Sequence, residues 1–184
     1  MILDNLLKNI IYDPVSVLGL LVFYILLVNL PISLGAVFKK KSSFSVRLLT
    51  ILVNLFITLQ LLFRWSISGH FPISNLYESL YFLTWGITMG QLLIEREYQS
   101  PIIPSIAIPI ELLMVAFACF VLPDDLKLSS NLVPALRSSW LVMHVSVVML
   151  SYAALIIGSL LSASVLFINK NKPLQIRSSS TGIG

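Results

Sequence analysis

The sequence predicts an all-α fold, a polytopic bundle of about five transmembrane helices. Of the 184 residues, 57% are hydrophobic and only 11% are charged, whereas soluble domains carry about 25% charged residues. So much apolar surface is expected to face lipid. In addition, apolar stretches of about 20 residues, the length of helix that crosses a bilayer core of about 30 Å, occur repeatedly along the chain. The five predicted spans are residues 17–38, 48–65, 76–94, 102–122 and 139–168.

Prolines interrupt two of the predicted spans. Pro31 in the first span predicts a kink near its end, because proline removes a helical hydrogen bond. The fourth span contains Pro104, Pro109 and Glu111, which are tolerable only where neighbouring helices or water satisfy the freed polar groups.

The five spans are predicted to form one helix bundle over residues 1–168, followed by a polar tail at 169–184. The first apolar run follows no basic segment and precedes lysines rather than a small-residue cleavage site. It is therefore interpreted as a retained span rather than a signal peptide.

The distribution of basic residues predicts the orientation. Eight of the 12 Lys and Arg residues fall on one side if the loops alternate. These are Lys39, Lys40, Lys41, Arg47, Arg96, Lys170, Lys172 and Arg177. The positive-inside rule places this side in the cytoplasm or its organellar equivalent. The N-terminus, His70 and His144 are then expected on the periplasmic or lumenal side.

Several functions are excluded by what the sequence lacks. The basic residues form short clusters between apolar runs, which does not favour nucleic-acid binding. Cys119 is the only cysteine, so neither an internal disulfide nor a cysteine-based metal site is available. The motifs GxSxG, GxxxxGK[ST] and HExxH are absent, and no catalytic residue is predicted.

His144 lies a few residues inside the outer end of the fifth span, about 7 Å deep at about 1.5 Å per residue. On a helix it shares one stripe with Trp140, Val147 and Ser151. Trp140 can anchor the helix at the interface while His144 bonds a neighbouring helix. Alternatively, His144 is a ligand, since ionisable groups inside spans often mark binding sites and imidazole is a common axial ligand of haem iron.

The polar stretch SGHFPISNLYESL, residues 68–80, joins the second and third spans. Asn75 and Glu78 have the spacing of a capping box, with Asn75 as the N-cap, and Glu78 can form an ion pair with Arg64. These three residues are interpreted as structural. His70 either is solvated and holds the turn, as most loop histidines do, or serves as a ligand.

Ala154, Gly158 and Ser162 repeat every four positions in the fifth span. Small residues at this spacing allow close contact between helices. They are expected to pack against other helices of this chain, although a partner protein is the alternative.

Two segments resemble the CcsA family of system II cytochrome c biogenesis proteins. Residues 64–85, RWSISGHFPISNLYESLYFLTW, are similar to the family's second-to-third helix segment. Residues 132–166, LVPALRSSWLVMHVSVVMLSYAALIIGSLLSASVL, are similar to the segment that carries the family's first outer-face histidine. The order and spacing of the remaining spans also fit the family.

The resemblance implies a subunit of a membrane haem lyase. With the membrane partner CcsB (also called Ccs1), such a subunit presents haem b to apocytochrome c for attachment to the cysteines of a CxxCH motif. His144 matches the first outer histidine, an axial ligand of the haem iron, and Trp140 is the expected haem contact beside it. His70 remains a second candidate contact, although the resemblance gives it no role. The thylakoid membrane is the expected location, and a bacterial inner membrane is the alternative.

The sequence departs from the family in one large respect. The tryptophan-rich segment, the second outer histidine and a later membrane histidine are absent. The chain is therefore expected to be the N-terminal portion of a longer protein and to be unable to attach haem alone.

Two other functions stay open. A transporter or channel subunit would place Pro104, Pro109 and Glu111 along a path through broken helices. A non-catalytic assembly factor would use its Trp and Tyr residues only as interfacial anchors.

Overall fold

The computed structural model describes residues 14–39, 44–98, 100–123, 127 and 139–170. The regular elements in these ranges are helices α1 to α5, and α4 continues as a π-helical turn over Phe117–Val121. The α-helices are α1 Pro14–Phe38, α2 Phe44–Ser68, α3 Leu76–Tyr98, α4 Ile102–Ala116 and α5 Ser139–Lys170. The all-α prediction is confirmed, and each predicted span coincides with a helix to within a few residues. Residues 1–13 and the predicted polar tail from 171 onward lie outside the described ranges.

Four of the five helices are long and apolar enough to cross a membrane by length and composition. They cover Val15–Phe38, Phe44–Ser68, Ile102–Val121 and Trp140–Ser162, with mean hydropathies from 2.0 to 2.4. α3 has 23 residues and is long enough to span, but it is more polar than the other helices. The predicted count of about five spans is therefore roughly confirmed.

The packing of α3 explains its polarity. α3 contacts α2, α4 and α5, and its buried residues include Glu78, Thr88, Gln91 and Glu95. Polar side chains are costly against lipid but can be satisfied between helices. Because protein surrounds α3 on three sides, its polar residues lie where partners are available.

Helices α1 to α4 form a four-membered bundle in which α1 and α3 each pack between α2 and α4. Neighbours run antiparallel. At one end of the α1–α4 pair the rings of Phe23 and Phe120 are 5.0 Å apart. Towards the other end, Ser105 Oγ donates to the carbonyl oxygen of Ser33 at 2.9 Å. Pro31 lies inside α1 without ending it, since the helix continues to Phe38.

The ends of the helices are named here by the loops they adjoin. The outer end is the one near the turn that contains His70, and the inner end is the one near Lys39. The assignment of the outer end to the lumenal or periplasmic side remains a prediction.

α5 packs on α3 through two glycines of α3. A Cβ atom built on Gly86 would stand 3.0 Å from Cβ of Ala153, and one on Gly90 would stand 2.5 Å from Cδ1 of Ile157. Gly86 and Gly90 form a GxxxG pair, which lets two helices approach closely. Because both pairs advance by four residues in the same direction, α3 and α5 run parallel.

The expectation that Ala154, Gly158 and Ser162 pack against this chain's own helices is wrong. All three are exposed, and a Cβ atom added to Gly158 would meet no atom within 4 Å. The contact stripe of α5 contains Ala153 and Ile157 instead, because the groove that receives α5 is made by the two glycines of α3.

Candidate functional site

The turn before α3 is fixed by side-chain bonds to backbone groups. Asn75 Oδ1 accepts a hydrogen bond from the backbone N–H of Glu78 at 2.8 Å, as an N-cap does. Glu78 reaches back in turn, and its Oε2 accepts from the N–H of Ser74 at 2.9 Å and from its Oγ at 2.8 Å. Helix α3 therefore begins with an N-cap and a reciprocal bond from Glu78 to the preceding turn.

Arg64 joins this turn to α2. Its Nε lies 2.8 Å from Oε1 of Glu78, and its guanidinium stands 5.1 Å from the ring centroid of Tyr77. The same guanidinium donates to the carbonyl oxygen of Lys127. Arg64 and Glu78 are only 8% and 1% exposed, so both side chains hold α2 and α3 together, and Arg64 also bonds Lys127 beyond α4.

His70 lies in the turn that leaves α2. Gly69 has a φ of +69°, a left-handed conformation that glycine adopts readily. His70 is half-buried, and its Nδ1 is 3.3 Å from the carbonyl oxygen of Phe71. The ring of Phe71 packs edge-on against Trp65 at a centroid distance of 5.3 Å. The surroundings of His70 are thus those of a packed turn.

An aromatic cavity lies beneath this turn and was missed at the level of sequence. It has a volume of about 180 Å³. It is lined by Thr58, Leu61, Leu62, Trp65, Phe71, Pro72, Phe82 and Trp85. The indole N–H of Trp85 donates to Oγ1 of Thr58 at 3.0 Å, so the lining presents apolar surface. The only feature of the sequence that indicated this cavity was the helical spacing of aromatic residues in α3, and the same spacing equally predicts core packing.

His144 lies on the opposite face of α5 from the bundle. Nine residues separate His144 from Ala153, which at about 100° per residue is close to half a turn. His144 and Ser151 are exposed, and Trp140 and Val147 are 79% and 62% exposed. The predicted stripe is therefore an open face of the helix.

The register between α3 and α5 sets the depth of His144. Counting back nine residues from the contact between Gly86 and Ala153 puts His144 level with Tyr77, in the first turn of α3. The turn with His70 and the open face with His144 therefore share the outer end of the molecule. The packing gives no contact between the two histidines, and they are on different elements.

The open face can supply one imidazole and one flat aromatic surface. Among the described residues, no three His, Cys, Asp or Glu side chains are grouped so that they could enclose a metal ion. The exposed imidazole of His144 lies one helical turn from the exposed indole of Trp140. Such a pair could bind a flat metal complex, with the imidazole as an axial ligand and the indole against the ring. These two residues fit such a group as one half of its binding site.

The fold and this surface define a class, a polytopic α-helical membrane protein with a histidine exposed near one end. Residues 73–182 match the family model described as Cytochrome C assembly protein, which covers well over half of the chain. The chain belongs to this family of cytochrome c assembly proteins.

Named relatives agree with this assignment. The cytochrome c biogenesis protein CcsA of Prochlorococcus marinus strain MIT 9215 is 93% identical over all 184 residues. Those of strains MIT 9515 and NATL2A are 80% and 56% identical over 100% and 98% of this chain. The family resemblance drawn from the sequence is confirmed. The chain spans 60%, 59% and 58% of the length of these three relatives.

Proposed function

We propose that the chain is part of a membrane haem lyase that presents haem b to apocytochrome c during c-type cytochrome biogenesis. Membership of the cytochrome c assembly family supports the pathway. The observation that carries the proposal is the open face of α5, where the imidazole of His144 is exposed on the side facing away from the bundle. A histidine in this position is accessible to a ligand without any rearrangement of α1 to α4.

In this proposal haem is the cargo, and two residues hold it. His144 offers a ring nitrogen as an axial ligand. Trp140, one turn nearer the helix end, offers an indole face for the porphyrin edge. Haem itself supplies the vinyl groups to which the thiols of apocytochrome c add, so the chain contributes binding and orientation. The ion pair between Arg64 and Glu78 fixes the outer ends of α2 and α3, and α5 packs against α3.

A single histidine leaves the second axial position of the iron open. We infer that the remaining ligand comes from elsewhere in the longer protein or from its membrane partner, CcsB. The 184-residue chain alone is then expected to attach no haem. Restored cytochrome c assembly by this chain in a strain without the full-length protein would contradict that expectation.

The proposed location is the thylakoid membrane, with the haem face towards the lumen. A bacterial inner membrane, with the haem face towards the periplasm, is the alternative. Fractionation of the two membranes of a cyanobacterial cell, followed by immunodetection, distinguishes them.

The ligand assignment is tested with the full-length protein co-expressed with CcsB and purified in detergent. Wild type is expected to show a Soret band, and His144→Ala is expected to lose most of it together with holocytochrome c. His70→Ala is the matched control and is expected to retain both. Added imidazole should restore the band in His144→Ala, because free imidazole can occupy the vacated axial position. An unchanged Soret band and normal cytochrome c in His144→Ala would overturn the assignment.

A further inference from the structure

A second ionisable residue, Glu111, lies in the interior of the bundle and has no part in the proposed haem site. Its side chain is 0% exposed. The other buried residues of α4 flank it on the same face, among them Ala107, Ile108 and Val115. Glu111 is at the middle of this face, which is directed at the centre of the four-membered bundle.

Among the described residues, no hydrogen-bond donor stabilises a negative charge on Glu111. Both of its carboxyl oxygens are buried and have no hydrogen-bond partner among the described residues. An isolated buried carboxylate is energetically costly, and such groups become neutral instead. Glu78 gives the contrast within the same bundle, since its carboxylate is paired with Arg64 at 2.8 Å. The neutral, protonated form of the Glu111 carboxyl is therefore the one that this interior favours.

Polar side chains lie in the bundle interior between the level of Glu111 and the inner end of the bundle. Asn29 Nδ2 and Gln91 Nε2 both donate to Oγ1 of Thr50, at 3.2 and 3.4 Å, so α1, α2 and α3 meet at one polar point. The amide oxygens of Asn29 and Gln91 are buried acceptors without a partner in the described part of the chain. Acceptors of this kind can receive a proton-bearing group or a water molecule.

The helical rise places these groups in order of depth. Glu111 and Asn29 each stand nine residues from the inner end of their helix, or about 13 Å. Gln91 and Thr50 are nearer to that end, at about 9–11 Å. Towards the outer side, Val22 and Leu26 belong to an apolar core cluster, and farther out Gln60 Nε2 donates to the hydroxyl of Tyr77 at 2.9 Å. The buried polar residues Gln91 and Thr50 thus lie between the level of Glu111 and the inner end.

We propose that Glu111 is a proton-binding site, a neutral carboxylic acid at mid-depth that exchanges its proton with the inner side past Gln91, Thr50 and Asn29. The site is independent of haem ligation by His144. Its substrate is the proton itself, supplied by water at the inner end.

Dicyclohexylcarbodiimide tests the protonation state, because it reacts with protonated carboxyls in apolar surroundings to give an N-acylurea. In the detergent-solubilised 184-residue chain at neutral pH, mass spectrometry is expected to find the adduct on Glu111. Glu78 is the internal control and should remain unmodified, since its carboxylate is ionised beside Arg64. Glu111→Gln should lose the adduct. A folded chain in which Glu111 stays unmodified would overturn the proposal.

Infrared spectroscopy tests the route. The difference between wild type and Glu111→Gln isolates the carbonyl band of a protonated Glu111, and transfer to D₂O should shift that band within minutes. Gln91→Leu should slow the shift several-fold without removing the band. A band that stays unshifted for hours would refute the exchange with the inner side. The lack of any protonated-carboxyl band would refute the site altogether.

Discussion

Two regions at the outer end of the molecule lie at the same depth and differ in almost every other respect. In the first, Arg64 and Glu78 are buried and ion-paired. In the second, Trp140 and His144 are exposed on the face of α5 that points away from the bundle. The first region has more polar and charged residues in its sequence, but these polar groups are already bonded to one another.

The difference indicates where a ligand can act. Side chains that satisfy each other inside the bundle stabilise it and have little capacity left for binding. A histidine on an open helix face contributes little to stability and keeps its ring nitrogens available. Stability and ligand binding are therefore expected to respond to mutation in opposite ways in the two regions.

The largest expected effect on stability comes from Arg64→Leu. This variant leaves the carboxylate of Glu78 buried without its cation, and the loss in unfolding free energy should be about 3–5 kcal/mol. Thermal unfolding in detergent measures it. The matched control adds Glu78→Gln to Arg64→Leu, which removes the buried charge and should recover part of the loss. Equal melting temperatures for Arg64→Leu and wild type would show that the ion pair is not structural.

Gly86→Leu should have the next largest effect, because it fills the groove of α3 that receives Ala153. Overpacking of this kind costs about 1–3 kcal/mol, and α5 should become more accessible to protease while α1 to α4 remain folded. Gly158→Ala on the exposed side of α5 is the control and should change neither property. Unaltered protease sensitivity in Gly86→Leu would argue against the observed α3–α5 contact.

Asn75→Ala should cost about 1 kcal/mol, because α3 loses its N-cap. Asn75→Ser keeps a capping oxygen and should cost less. Circular dichroism during thermal unfolding compares the two variants with wild type. A serine variant as unstable as the alanine variant would mean that capping is not what Asn75 contributes.

The smallest stability effect is expected for His144→Ala, within about 0.5 kcal/mol of wild type. Its exposed side chain leaves no cavity and no buried partner behind. Measured beside Arg64→Leu in the full-length protein, it should give normal folding with loss of haem. If His144→Ala unfolds as readily as Arg64→Leu, the open face is not the free surface described here.

The positions of the helices could be predicted because bilayer thickness sets the length of an apolar run. Which face of each helix points inward could not be predicted in the same way. Lipid is as apolar as a protein core, so apolar residues are suited to either side of α5. The repeat of Ala154, Gly158 and Ser162 indicated a contact face for this reason, whereas the actual contact depends on Gly86 and Gly90 of another helix.

The candidate site was predictable in part. The helical period placed Trp140 and His144 on one stripe, and the structure keeps them together on one face. It could not reveal that this face is open, because exposure depends on where α3 and α4 lie. The sequence placed Glu111 two residues after Pro109 and on a possible transport path, but its burial without a partner among the described residues depends on the packing of α1 and α3.

The polarity of α3 has a consequence for how the protein enters the membrane. A translocon inserts a segment according to its transfer free energy, and charged and polar residues make that free energy less favourable. α3 brings Glu78, Gln91 and Glu95 into the bilayer, so it is poorly suited to partition alone. α2 precedes it by a short turn and supplies Arg64 to Glu78. The two helices are therefore best inserted together as a hairpin, with the ion pair closed before either polar side chain meets lipid.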